Sequence, residues 1–431
     1  MKKLLTVVVL LLAVLYLPAA IIEIETVEKR SFKVNEEVTF KLTGWAEKDV
    51  KLTSGTVDVQ LSDSGMTKLG KPQTFDFSKG NPQTFTAKLT RPGFILATPR
   101  QLKTVDGKTV NWQKKSPPIH GGAAVEPEKI TAGGERPADF DKFWADGIKA
   151  YQNAKVEVTP EPGHKMEGYK VFRIKVDFID NSGLIDGFLS IPEKPGKYPA
   201  VVAVPGAGVG QIRPLPMWHH DGLAINLMMN VHPFATKLSG KQQAKSYNDY
   251  NNKFPEKRYF IRNAENRDEY VYRKVWLAFN RAIDYVASLK EFDGKHLAIT
   301  GNSQGGGTAL AVGSMNKHVS CIIASVPALC DHAGWKAGRR PGWPLLNKNL
   351  KGKADAAAAY FDGAFFADNI KVPVLVSVGY VDPVCSPSSV YAAYNRIKSS
   401  KKIYPAYRGT HTNEPEFFPM TKEFLKQEFS K

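Results

Sequence analysis

The sequence predicts an antiparallel β-sandwich followed by a larger α/β domain with a mostly parallel, doubly wound sheet. Three observations carry that reading. Short runs of alternating apolar and polar residues, separated by turn clusters, fill the chain from about residue 21 to residue 115. Beyond Tyr169, near-continuous apolar runs alternate with stretches of helical periodicity. One of those runs, His296 to Thr300, breaks into Gly301-Asn302-Ser303-Gln304-Gly305 and then a small-residue helical pattern. Period-two alternation fits strands with one face buried, and continuous apolar runs fit parallel strands covered on both faces.

The chain has 431 residues, 42% hydrophobic and 23% charged, which suits a folded protein of two or three domains. The formal net charge is +17, spread without a dense Lys/Arg block. Attraction to an acidic polymer is one reading of that excess. No nucleic-acid motif accompanies it, so a lysine-rich solvated surface is the better account and no nucleic-acid partner is expected. Residues 1–20 read as a secretory signal peptide: Lys2 and Lys3, an apolar core from Leu4 to Leu17, then Pro18-Ala19-Ala20. The core is short for a membrane span, and no second long apolar run follows. An exported chain, periplasmic or secreted, without stable membrane insertion is expected. Cysteine occurs at Cys321, Cys330 and Cys385. An odd count is not a disulfide framework. Cys330 with Cys385 is the candidate bridge; buried free thiols are the alternative.

The elements justify themselves in order. Glu37–Leu42, Gly55–Leu61 and Thr84–Leu89 alternate, with turns such as Ser62-Asp63-Ser64-Gly65 between them. That regular punctuation predicts an immunoglobulin-like sandwich over 21–115, an accessory domain with no catalytic constellation, serving glycan contact or packing. The Pro/Gly-rich stretch 116–136 reads as a linker, leaving 137–431 for the α/β domain. A helix with Phe140, Phe143, Trp144 and Ile148 on one face opens it. Strands are expected at Tyr169–Phe178, Leu184–Ile191, Tyr198–Val204 and Leu223–Val231. The polar stretch Ala235–Asp268 reads as a surface excursion bordering a site. Tyr272, Val275, Phe279, Ile283 and Val286 mark a long amphipathic helix. Further strands follow at Val319–Val326, Val372–Tyr380 and Lys402–Tyr407, and a helix from Glu416 closes the chain.

The serine at the tip of the strand–turn–helix is the candidate nucleophile. Such an elbow is strained, and the strand and helix pack closely, so Gly301 and Gly305 must flank Ser303. Asp382 and His411 follow in that order, each just past a predicted strand. All three therefore meet at one edge of a parallel sheet, where open α/β folds keep their sites. This is the order Ser, Asp, His of an α/β hydrolase. The backbone N–H of Gln304 and that of Ala207, in the Gly-rich loop Pro205–Gly210, are the expected oxyanion donors. No histidine pair has metal-ligand spacing, so neither metal nor cofactor is expected.

At these residues a family resemblance appears. GNSQGGG, PALCDH, VDPVC and the PADFDKFW start resemble the acetyl xylan esterase and cephalosporin C deacetylase family, over about Glu126 to Phe429. The resemblance implies an α/β hydrolase that removes acetyl groups from esterified sugars, with nucleophile Ser303, acid Asp382, base His411 and oxyanion donors Ala207 and Gln304. There are departures. Asn230-Val231-His232-Pro233 stands where the family has RGQG, Thr412 replaces a glutamate, and Ala207 replaces a common tyrosine. These departures bear on substrate identity and on the family's hexameric assembly, so a homo-oligomer stays open. The expectation is an exported serine esterase acting on an acetylated carbohydrate, xylan or xylo-oligosaccharides. The alternatives are a peptidase or broader acyl esterase on the same fold, or a glycan-binding protein with a degenerate site.

Overall fold

The computed structural model describes residues 20–47, 49–110, 119–180, 182–208, 212–214, 222–232, 240–255 and 257–431. The signal peptide expected over 1–20 lies outside these, save Ala20.

Two antiparallel sheets form the N-terminal part. One holds Ile21–Thr26, Val38–Glu47, Val50–Lys51 and Gln83–Ala87; the other is built on Thr56–Asp63 and Gly93–Lys103. Alternation sets which side chains go inward. Ile22, Ile24, Phe40 and Leu42 from the first sheet share one buried core with Val57, Val59, Ile95 and Ala97 from the second. Thr56–Asp63 turns through Ser64 (φ 49°) and Gly65 (φ 69°) into Thr67–Lys68, leaving Met66 half exposed at the tip.

The residues expected as a linker differ from expectation. Gly121–Val125 is a strand, paired antiparallel with Gly93–Ala97. Its composition hides it, yet the small residues are required. A Cβ on Gly121 would sit 2.6 Å from Ile24 Cγ2, and one on Gly122 would sit 2.9 Å from Tyr380 O. Residues 111–118, where the sandwich and linker were expected to meet, are not among those described.

The second part is a nine-stranded sheet with strands β1 (Val156–Pro160), β2 (Tyr169–Asp177), β3 (Leu184–Pro192), β4 (Tyr198–Val204), β5 (Ile225–Met229), β6 (Phe292–Asn302), β7 (Cys321–Ser325), β8 (Val374–Gly379) and β9 (Lys401–Ala406). The order is β1-β2-β3-β5-β4-β6-β7-β8-β9. Pairings from β5 through β9 are parallel; β1, β2 and β3 join antiparallel. Both faces are covered, which is why β4, β7 and β8 read as near-continuous apolar runs. On β6 and β7, Leu297, Ile299, Ile322 and Ala324 enter the large core, while Ala298, Cys321 and Ile323 pack under Phe417, Phe424 and Leu425 of the C-terminal helix. No described helix is long and apolar enough to cross a membrane.

Phe94 and Ala124 of the N-terminal sheets belong to the large core of the α/β part. The Phe94 ring lies 5.1 Å from Tyr380 and 5.6 Å from Tyr391. The N-terminal sheets thus pack against the end of β8, the strand that leads to Asp382.

Candidate active site

Ser303 directly follows β6 and precedes the helix Gln304–Met315. Its φ of 57° and ψ of −117° fall where a non-glycine residue is strained. Neighbours hold it there: Ser303 N donates to Ser325 O (2.9 Å), and Ser303 O accepts from Ala328 N (2.9 Å) and Gly307 N (3.0 Å). The predicted need for glycine is met on both sides. A Cβ on Gly301 would lie 2.3 Å from the Gly305 carbonyl, and one on Gly305 would lie 2.2 Å from Val204 O.

The structure brings Ser303, His411 and Asp382 together. Ser303 Oγ lies 2.8 Å from His411 Nε2, and His411 Nδ1 lies 2.8 Å from Asp382 Oδ2. Asp382 is buried, and its other oxygen accepts from Val384 N (2.7 Å) and Cys385 N (2.9 Å). Both carboxylate oxygens are thus directed, and an ionised Asp382 can orient the imidazole. The His411 loop reaches this point because Gly379 lets it pass: a Cβ there would sit 2.3 Å from Thr410 O.

A cavity of about 270 Å³ opens at Ser303, walled by Gly206, Ala207, Asn302, Trp343, Val384 and His411. Of the two residues expected as oxyanion donors, Ala207 lines it, and Gln304 directly follows Ser303 in the chain. Gln304 is the first residue of its helix, so its N–H has no partner within the helix. Ala207 lies on the loop after β4, on the cavity wall.

The replacement at the expected RGQG position is structural here. His232 is buried, and its Nε2 lies 3.0 Å from the carbonyl of Gly208, next to Ala207. Its ring meets Tyr247 and Tyr259 edge-on, with centroids 5.3 and 4.5 Å away. Burial pushes its pKa down to about 4, against a smaller opposing effect of the Gly208 carbonyl, so it is neutral near pH 7. Tyr259 and Tyr272 (2.6 Å) both donate to Gln304 Oε1. Sequence reasoning singled out neither tyrosine as a support. Tyr259 comes from the stretch read as a surface excursion; that stretch instead holds a helix, Gly240–Asn252, and a turn that drives Tyr259 into the core. Residues 233–239 within it are not described.

The cysteines are all free and buried, so the candidate Cys330–Cys385 bridge is not formed. Burial, and then the nearby Asp382 charge, push the Cys385 thiol well above its usual range, which keeps it protonated beside Ser303. Among the described residues, one cluster has the spacing to share a metal ion: Asp382, Cys385 and His411, whose ligand atoms lie within 4.8 Å of one another. Its imidazole and carboxylate are already bonded to each other, so an ion there would displace the contact that orients His411.

Comparison with known proteins bears on what such a site belongs to. The acetyl xylan esterase (AXE1) family model matches residues 128–427. The acetyl esterase Axe7A of Xylanibacter ruminicola is 30% identical over 344 residues, covering 77% of this chain and 74% of that protein. An acetyl xylan esterase from Paenibacillus sp. R4 superposes with a TM-score of 0.58 at 23% identity, over 70% of this chain and 98% of that one. Acetyl xylan esterase 1 from Thermoanaerobacterium sp. JW/SL YS485 gives a TM-score of 0.57 at 19% identity, over the same shares. These two speak for the fold. The family match across the α/β part, with the relative's identity over three quarters of the chain, shows that the protein belongs to the acetyl xylan esterase family and is an acetyl esterase.

Proposed function

We propose that this acetyl esterase deacetylates xylan or xylo-oligosaccharides through an acyl-enzyme on Ser303, and that it does so after export. The observation that carries the reaction is the continuous relay Ser303–His411–Asp382, opening on a small cavity lined by Ala207. Ser303 Oγ attacks the acetyl carbonyl while its proton passes to His411 Nε2. Asp382 steadies the imidazolium. The Gln304 and Ala207 amides bind the oxyanion; losing one such donor costs about 3–4 kcal/mol of transition-state stabilisation. The tetrahedral intermediate collapses, the sugar hydroxyl leaves with the proton from His411, and acetyl stays on Ser303. Water then attacks the ester with His411 as base, acetate leaves, and Ser303 recovers its proton.

The test is turnover of p-nitrophenyl acetate. Ser303→Ala lowers kcat by about 10⁴-fold or more; equal rates for the two proteins would remove the mechanism. Butyrate esters and peptides are the controls for a broader acyl site, and the small cavity predicts a preference for acetate. Acetate release from a panel of acetylated glycans tests the substrate. Export is tested by N-terminal sequencing of the mature protein: a start at Met1 sinks it.

A further inference from the structure

The segment from His332 to Lys348 connects the site to the N-terminal sheets. Trp343 walls the cavity at Ser303. Pro341 and Leu345, two residues to either side, wall a second cavity of about 320 Å³. Trp335, Arg340 and Lys348 also line it, and so does Met66 from the hairpin tip of the N-terminal sheets. Two residues of chain span at most about 7 Å, so the same segment lines both cavities at close spacing. Trp335 and Asn347 are shared in turn with a third cavity, of about 520 Å³.

This wall is pinned from several sides. Arg91 donates to Ala337 O (2.5 Å) and Gly338 O (3.3 Å) while paired with Asp63 (2.7 Å). Arg340 N donates to Ser64 O at 3.3 Å. Asp331 accepts from Gly133 N (2.7 Å) and Arg339 Nη2 (3.0 Å). Asp362 accepts from the amides of Asp331 and His332, both at 2.7 Å. A surface held this way is organised before a ligand arrives, so binding orders little chain.

Its chemistry is mixed. Trp335 is half-buried and offers an indole; Met66, 49% exposed, offers an apolar side chain. Arg340 and Lys348 offer hydrogen bonds, as does Asn347, whose Nδ2 also donates to Asp355 (3.2 Å); the buried Arg340 Nε has no hydrogen-bond partner among the described residues. An aromatic side chain flanked by donors and acceptors suits a sugar ring, which is apolar on its faces and hydroxylated at its rim.

We infer that these cavities are subsites for the glycan chain flanking the acetylated sugar, and that the Met66 hairpin of the N-terminal sheets forms part of the substrate-binding surface. The inference rests on the proposed glycan substrate. It turns the N-terminal sheets from a packing module into a selector of polymer over small ester.

The experiment compares Trp335→Ala and Met66→Ser with wild type on acetylated xylan and on p-nitrophenyl acetate. The readout is the ratio of the two kcat/KM values, in which any loss of folded enzyme cancels. The ratio falls about tenfold for Trp335→Ala and about threefold for Met66→Ser, the size of a lost aromatic or apolar contact, and the loss lies in KM for xylan. A ratio unchanged in both variants overturns the inference and leaves the esterase reading intact. A wild type that cleaves the aryl ester yet frees no acetate from xylan or any other acetylated glycan defeats the substrate reading, and this inference with it.

Discussion

The two flanks of Ser303 are held by different means. On one side the contacts are directed at charge: His411 bonds Asp382, and Asp382 draws on two backbone amides. On the other side the supports are neutral and buried. His232 touches the Gly208 carbonyl, and Tyr259 and Tyr272 hold the Gln304 side chain. The difference follows from what each flank does in the proposed mechanism. The first must welcome a positive imidazolium when the proton arrives. The second needs only to keep two N–H groups in place, and backbone dipoles held in position cost no reorganisation at the moment of reaction. The acid–base flank should therefore fail through charge, and the oxyanion flank through geometry.

The largest expected effect removes the charge. Asp382→Asn keeps the size of the side chain but loses the carboxylate that selects the His411 tautomer. We expect kcat for p-nitrophenyl acetate to fall about 10⁴-fold with little change in KM. A fall below about tenfold in steady-state rates would break the comparison, because this flank would then work by position alone.

Next comes the hinge common to both flanks. Gly305→Ala forces a Cβ to within 2.2 Å of Val204 O, and that backbone belongs to the strand feeding the oxyanion loop. The expected cost is about 3 kcal/mol of stability, read from the urea midpoint, with activity lost in the fraction that folds. A variant as stable and active as wild type would mean that strand and helix do not pack as closely as described.

The same contrast decides what could be read from the sequence. Gly301 and Gly305 announce the elbow because only glycine fits there. Asp382 and His411 were legible because each follows a strand, and the order of strands carries them to one edge. The supports of the oxyanion flank follow no such rule. His232, Tyr259 and Tyr272 reach their partners across 24, 45 and 32 positions of chain, and nothing local marks them. His232 was visible only as a departure from an expected motif. The strand Gly121–Val125 was hidden for a related reason: packing against Ile24 and Tyr380 demanded residues that locally spell a linker.

His232 also gives the neutral flank a signature in pH. Its folded pKa, about 4, lies below the ordinary histidine value near 6.5. The unfolded chain therefore takes up the proton first as pH falls. Stability is full above about pH 6.5 and is lost as pH drops toward 4, at roughly 1.4 kcal/mol per unit. His332, also near 4, acts in the same direction, while Asp331 and Asp362, raised by burial to about 6, act in the opposite one. All three are common to wild type and His232→Gln. The difference between the two proteins isolates His232: between pH 7.5 and 5 the wild type should lose about 2 kcal/mol more than the variant, by urea unfolding. Parallel pH profiles would show that His232 is charged or solvated in the fold, and the neutral flank would lose its main support.

The smallest effect sharpens the comparison most. Gln304 Oε1 accepts from two hydroxyls, so Tyr272→Phe removes one and leaves Tyr259 in place. The remaining bond satisfies the buried carbonyl, and the ring keeps its edge contact with Tyr270, centroids 5.3 Å apart. The loss should be about 1 kcal/mol of stability and a few-fold in kcat at most, because the amide of Gln304, the proposed oxyanion donor, is also positioned by its helix. If Tyr272→Phe instead costs kcat as heavily as losing an oxyanion donor, about a hundredfold, the Gln304 side chain positions its own amide. The oxyanion flank would then be as finely directed as the acid–base flank, with hydroxyl groups in the place of charges.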